Sequence, residues 1–475
     1  MNAIVFVLQG CPLAKIGAYG NEWVVTPHLD QLAAEGIVLD QHISDCPEPI
    51  QARRAWRSGR FPWFRSSAEV SQGDGGADLL ACLKAAGVKT ILLNHNRPCH
   101  PLPAEFLLGW DEIHTVPPVD EDESPADALL RHLPAILASL PNGSPWLLWI
   151  ETDRFLPPWH VPKTVFRLYL ENLLDDDDEP ETSAAVDAGN DEHSSRDGTA
   201  TDTREDDGSE SDGHPVTEAQ IPETDAEEGQ SGHDGEEDSS LADIEPWTDP
   251  PEGWFDADDL ASWELLHRSF DSAITSWDAD FGRVMQLLKS SGLDQSAHWL
   301  LTSDYGFPLG EHGIIGRFRP WLHEERVHLP CMIRLAGAAE AGRRIPTLTQ
   351  PVDLMPTLAG WLGVAEIPGD RDGIDLMPLL HGKRSAIRTE AITILSEETG
   401  EEWAIRTADW AYLLPRSQNP AEDDEVRSPQ LYAKPADRWE RNNLSSRELS
   451  RSEAFAERLQ TIIVSPPSSG KRTTS

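Results

Sequence analysis

Cysteine, basic residues and long apolar runs are what this chain of 475 residues has little of. Its five cysteines (Cys11, Cys46, Cys82, Cys99 and Cys331) are scattered and form no C-x-x-C pair. That argues against a disulfide framework and against a zinc site. No run of about 18 apolar residues occurs, so no segment reads as a membrane-spanning helix. Lys and Arg number 39 against 82 Asp and Glu, a net charge of −43. Such a balance gives no electrostatic pull toward nucleic acid or an anionic membrane. The first residues, Met1 to Leu8, carry no basic stretch and too short an apolar run for a secretory leader. The expected compartment is the cytoplasm.

The acidity is unevenly spread. Residues 175–245 hold 27 Asp and Glu against only Arg196 and Arg204, more than half of the net charge. This run of Asp, Glu, Ser, Gly and Thr has almost no aromatics, too little apolar surface to offset chain entropy, and is expected to be disordered. It could serve as an acidic docking element for a protein partner, although charge runs of this kind are commonly just solvated. The length allows a sizeable core and more than one domain. The expected organisation is an α/β domain in two parts, 1–173 and 246–382. The acidic insert, 174–245, splits them, and a C-terminal unit over 383–464 and a loose tail over 465–475 follow.

Several stretches carry chemistry. Trp299-Leu300-Leu301 reads as a buried strand that breaks into the polar loop Thr302-Ser303-Asp304-Tyr305-Gly306, continuing through Leu309-Gly310-Glu311-His312-Gly313 to Arg317. Ligands of open α/β sheets sit beyond the carboxyl ends of strands, so this loop is where a site is expected. Ile4 to Leu8 and Pro145 to Glu151 are further continuous apolar runs, the pattern of strands covered on both faces. Thr26-Pro27 opens a helix that Gly36 ends, Leu79 to Gly87 is a second, and Phe270 to Leu288 is a third.

Together these stretches resemble the sulfatase family of the alkaline phosphatase superfamily. Residues 300–313 resemble its T-S-D-H-G-x-x-L-G-E-H-G segment. Asn2 to Gly36 resembles the opening N-I-x-x-I-x-A-D-D through G-x-Y-G to T-P-N-L-D-x-L-A-x-E-G. Cys46 to Pro62 resembles C-x-P-S-R-A-x-L-x-T-G-R-Y-P. Trp159-His160-Val161-Pro162 resembles P-H-x-P, and Val352-Asp353-Leu354-Met355-Pro356-Thr357-Leu358 matches V-D-L-x-P-T-L. Arg406-Thr407-Ala408-Asp409-Trp410-Ala411-Tyr412 resembles R-T-x-x-x-K-Y. The resemblance runs along nearly the whole chain apart from the acidic insert. It implies a central mixed, largely parallel sheet flanked by helices, with a smaller C-terminal α+β subdomain. It also implies hydrolysis of sulfate esters by a hydrated formylglycine beside a divalent metal, usually Ca2+.

The residues that should perform that chemistry are replaced. The position of the cysteine converted to formylglycine is Pro49, which has no hydroxyl, thiol or aldehyde with which to attack. Cys46 lies three residues too early and lacks the sequence context for conversion. Of the metal-ligand positions only Asp304 keeps a carboxylate; the others are Gln9, Gly10 and Tyr305. A hard divalent cation needs several oxygen ligands, so no metal cofactor is expected. The cations fare better: Arg53 is retained, Arg317 stands where the family has a second Lys, and His95 and Arg97 stand where it has Lys and His. With His160 these are the candidate anion-binding residues, suited to a sulfated or other anionic small molecule. Three readings stay open: a degenerate sulfatase homologue that binds an anion or is inert, a divergent hydrolase working through His160, His312 or Tyr305, and a scaffold acting through its acidic insert.

Overall fold

The computed structural model describes residues 1–64, 78–95, 97, 99–116, 125–176, 244–397, 400–416 and 428–464. The expected disordered insert lies outside the described residues over 177–243, and so does the expected loose tail.

Eight strands form the body of the large sheet: β1 (Asn2–Leu8), β2 (Ile37–Ile43), β3 (Lys89–His95), β4 (Glu112–Val116), β5 (Trp146–Thr152), β6 (Ala297–Thr302), β7 (Cys331–Arg334) and β8 (Arg343–Thr349). Their order across the sheet is β8-β2-β7-β6-β1-β5-β3-β4, and a short ninth strand, His328–Leu329, pairs with β2. β7 runs antiparallel to both neighbours, whereas the other pairings along this path are parallel. The sheet is therefore the mixed, largely parallel one expected. Apolar runs without polar interruption explain why β1 and β5 sit at its centre, since helices cover both faces there.

Alternation assigns the faces. Ile4, Phe6 and Leu8 of β1 join the cluster that includes Leu29, Phe270, Ile274 and Phe281 from helices α1 (Pro27–Ala34) and α6 (Leu260–Ser290). Ala3, Val5 and Val7 join the opposite cluster, with Trp56, Leu83 and Leu358 from α2 (Pro49–Ser58), α3 (Leu79–Ala85) and α7 (Leu354–Trp361). Two further helices, α4 (Pro125–Ser139) and α5 (Lys163–Asp176), flank β5 in sequence. Thr26 stands at the start of α1 but does not cap it; its hydroxyl accepts from the Gly17 amide at 2.9 Å. The helix predicted over Phe270–Leu288 is longer at both ends, starting where the Asp259 carboxylate caps the Ser262 amide.

A separate four-stranded antiparallel sheet follows, β9 (Ala391–Glu397), β10 (Gly400–Arg406), β11 (Trp410–Arg416) and β12 (Gln430–Ala433), in that order. Helix α8 (Leu449–Val464) packs Leu459 and Ile462 against Ile392, Trp403 and Tyr412 on one of its faces. Ala391, Leu395, Ala404 and Leu413 on the other face meet Ile43, Val327 and Leu348 of the main body. Because sheet register puts Leu8 beside Thr152 and Val7 beside Thr302, the chain leaves β1, β5 and β6 at one edge. Gln9, Asp153 and Asp304 emerge together there. No helix among the described residues is long and apolar enough to cross a membrane.

Candidate functional site

The edge beyond β1, β5 and β6 is organised by Arg53, which α2 carries in from the side. Glu48 starts that helix, its carboxylate accepting from the Gln51 amide at 2.9 Å, and Pro49 occupies the first turn, where a missing N–H costs nothing. One turn on, Arg53 is 2 % exposed. Its Nη2 donates to Glu151 Oε2 at 2.6 Å, and its Nη1 donates to Asp304 Oδ2 at 3.0 Å and to the Pro49 carbonyl at 2.9 Å. The guanidinium also lies 5.6 Å from the Trp56 ring centre and 5.5 Å from that of Phe106.

Each acid is held from the other side too. Asp304 Oδ1 accepts from the Gly10 and Tyr305 amides, both at 3.0 Å. Glu151 Oε2 accepts from the Gln9 amide nitrogen at 3.0 Å, and Oε1 from the Trp149 indole at 2.9 Å. Both carboxylates are fully buried. Burial pushes the Glu151 carboxyl upward, more than Arg53 and the Trp149 hydrogen bond pull it down.

This geometry decides whether the metal implied by the family's chemistry fits. Asp304, the only carboxylate at a matched ligand position, spends one oxygen on two amides and the other on Arg53. Gln9 turns its NH2 toward Glu151. Gly10 has no side chain and adopts φ +73°, and a Cβ there would come within 2.3 Å of Leu156 Cδ2. Tyr305 is 1 % exposed, and burial drives its phenol pKa up, so the anionic form that coordinates metal is suppressed. Among the described residues no three His, Cys, Asp or Glu side chains gather in a metal-holding arrangement. The residues present do not fit a divalent cation bound in the family's manner. The Arg53 guanidinium supplies the positive charge instead.

Two buried cysteine thiols are shifted by the same dryness. The Cys46 thiol pKa is pushed well above its ordinary value by burial, with Asp45 and Glu48 adding to it. Burial and then Asp304 do the same to Cys11. A thiol reacts as its thiolate, so neither is poised to attack.

The other predicted cations do not share this arrangement. Arg97 is committed to Asp153 Oδ2 at 2.8 Å, and to the carbonyls of Pro158 at 2.7 Å, Leu156 at 2.8 Å and Asp153. It ties the loop after β5 together. His95, at the end of β3, lines a small cavity with Phe6, Leu8, Ile150 and Asp280, on the α6 side of the sheet. His160 is half-buried beside Arg154 and Asp280, and burial with the Arg154 charge lowers its pKa. Arg317 is a further cation beside Tyr305. Its guanidinium lies 5.3 Å from the Tyr305 ring centre, its backbone N–H donates to Glu252 at 2.8 Å, and its buried Nε has no acceptor. His312 is bound on both nitrogens, to Glu325 at 2.8 Å and the Glu440 carbonyl at 3.2 Å. Glu151 and Asp153 were missed in the sequence, although a buried strand running into Glu151-Thr152-Asp153 places acids at the sheet's functional edge.

An alkaline-phosphatase-like α/β architecture is what this sheet and edge define. The crystal structure of a phosphonate monoester hydrolase of Agrobacterium radiobacter superimposes with a TM-score of 0.67 at 17 % identity, covering 98 % of this chain and 95 % of that one. A protein solved in complex with its substrate D-glucosamine-2-N,6-O-disulfate superimposes with a TM-score of 0.61 at 17 % identity, covering 99 % of each chain. The family model for Sulfatase matches residues 2–364. The chain belongs to the sulfatase family. An N-acetylglucosamine-6-O-sulfatase of Bacteroides thetaiotaomicron is 32 % identical over 126 residues, 26 % of this chain and 22 % of that protein. Matched segments span 21 to 24 % of the length of the first curated relatives.

Proposed function

We propose that this protein is a sulfatase-family member that no longer hydrolyses sulfate esters by the family's chemistry and that keeps at most an anion-binding role at the sheet edge. The observation that carries this reading is the closed Arg53–Glu151–Asp304 cluster, in which every oxygen of both carboxylates already accepts a hydrogen bond. Catalysis in such a site would need an activated nucleophile and stabilisation of charge on the transferring group. Pro49 removes the first. The second is reduced to Arg317, whose buried Nε has no hydrogen-bond partner. A small sulfated or otherwise anionic molecule is the ligand class this supports, in line with the glucosamine disulfate bound by the structural relative.

The test is metal content and aryl-sulfate turnover on one preparation, made in a host that forms formylglycine and with calcium supplied. Less than stoichiometric metal and no turnover are expected. The Pro49→Cys variant is expected to stay inactive in the same assay, because the metal carboxylates would still be missing. Turnover by Pro49→Cys would overturn the reading.

A further inference from the structure

A cavity of about 260 Å³ lies between the outer strands of the large sheet and the four-stranded sheet. Asp40, Gln41 and Ile43 come from β2, Arg344 and Leu348 from β8, and Arg406 from the end of β10. Lys434 and Arg438, from the turn after β12, complete its cationic wall, with Glu324 and His328 beside them. None of the Arg53 cluster lines it. The volume corresponds to roughly nine water molecules at about 30 Å³ each, and it falls just under the range of about 300–1,000 Å³ of pockets for drug-sized ligands. It has room for a small ion or a small ester.

The electrostatics favour an anion. Four permanent cations, Arg344, Arg406, Lys434 and Arg438, meet two acids in the lining, Asp40 and Glu324, and a third behind it, Glu440. Arg344 pairs with Asp40 at 2.5 Å, and Lys434 is used up by Glu324 at 3.0 Å, Glu440 at 3.2 Å and the Arg438 carbonyl at 2.7 Å. His328 faces oxygen on both nitrogens, Glu324 Oε1 at 2.6 Å and the Asp40 carbonyl at 2.7 Å. The excess charge is positive.

Arg406 is the unfinished member. It is 3 % exposed, and its Nη2 donates to the Leu322 carbonyl at 2.7 Å and to Glu440 Oε1 at 2.8 Å. Its Nε and Nη1 have no hydrogen-bond partner. Glu324 stands 3.8 Å from Nε, close enough for attraction and too far for a hydrogen bond. Buried donors left unmet are costly, and charged ones more so. Arg438, on the same wall, uses Nη2 on the Tyr19 carbonyl at 2.8 Å.

We infer that this cavity is a second oxyanion site, separate from the Arg53 centre, which takes a sulfate or phosphate group either free or on a small ester. A tetrahedral oxyanion brings several acceptor oxygens to donors arranged around one point, which matches an arginine-rich wall better than a flat neutral ligand does.

The test is calorimetric titration of the full chain with inorganic sulfate, inorganic phosphate and glucosamine 6-sulfate, at constant ionic strength against chloride. Saturable binding is expected, weakened about tenfold by Arg438→Gln, the scale of one lost charge-assisted hydrogen bond. Arg317→Gln removes the anion-binding group proposed at the sheet edge, and the Arg438-dependent binding should persist in that background. Arg406→Gln should weaken binding further; because that residue is buried, Arg344→Gln serves as the second, more exposed variant. Tighter binding of the ester than of either ion would assign the group to an ester, and the reverse order to the free ion; both outcomes support a site here. Binding lost in Arg317→Gln and kept in Arg438→Gln and Arg344→Gln would move the anion to the sheet edge and overturn the inference. So would the absence of any saturable heat beyond chloride.

Discussion

Arg53 and Arg406 are both almost wholly buried, at 2 % and 3 % exposure, yet their surroundings differ in kind. Arg53 gives each terminal nitrogen to a buried carboxylate, leaving only its Nε without a partner, and those carboxylates are completed by amides and an indole. Arg406 has one terminal nitrogen satisfied and two nitrogens without acceptors, on the wall of a cavity. The first cluster lies at the strand ends where the fold family carries out its chemistry, and it is closed. The second lies where two sheets abut, and it is open. The location of a site within a fold and the availability of its groups are therefore separate questions. Burial of charge alone identifies neither: the discriminating fact is that Arg53 commits both terminal nitrogens to acceptors and Arg406 only one.

Removing the Arg53 side chain should give the largest effect. Arg53→Ala would leave Glu151 and Asp304 buried beside each other without a cation, a loss of about 3–5 kcal/mol by analogy with broken buried ion pairs. Urea unfolding followed by tryptophan fluorescence measures it. A loss below about 1 kcal/mol would mean that water reaches these acids and that the centre is not closed.

Next comes the question of whether the closed centre has room for the family's missing acid. Gly10→Asp places a side chain at φ +73° and a Cβ within 2.3 Å of Leu156 Cδ2. The left-handed backbone alone costs about 1–3 kcal/mol, so a lower melting temperature and no gain in calcium affinity are expected. Stoichiometric calcium binding by this variant would instead show that the backbone readily returns to a metal-binding form.

The smallest effect separates the clusters by pH. Burial raises the Glu324 carboxyl, but His328 and Lys434 outweigh it and hold it at about 2. A depressed carboxyl contributes stability that is present above its unfolded value of 4.5 and lost as pH falls toward about 2. Glu151 is shifted the opposite way, mainly by burial, so its contribution is lost as pH rises instead. Acid unfolding of the wild type should thus lose stability below pH 4.5, with a slope that Glu324→Gln makes shallower by the order of 1 kcal/mol per pH unit. Equal slopes in the two proteins would remove Glu324 from the ion network of the open cavity.

Much of the large sheet was legible because its central strands are uninterrupted apolar runs and its loops keep the order of the family's motifs. Asn2–Leu8 and Trp146–Thr152 fall where those runs lie, and the loop after Thr302 emerges at the sheet's carboxyl edge as its position after a strand required. Reading the cations as one set was less successful. Arg97 and Arg53 are alike in sequence as arginines near strand or helix ends, but Asp153 and three carbonyls consume the one, while Glu151 and Asp304 consume the other. Those partners lie 56, 98 and 251 residues away along the chain. Local pattern carries no information about pairing at such separations.

What the sequence determined by itself is which side chains stand at the positions that the family resemblance matches to a nucleophile and two carboxylates: Pro49, Gly10 and Gln9. Those are properties of single side chains, and no packing can restore a functional group that is absent. Only the tertiary structure decided what became of the groups that remain. Whether an arginine is free to meet a ligand depends on the acceptors within about 3 Å of it, and at Arg53 and Arg406 those acceptors arrive from strands and turns brought together by the sheets.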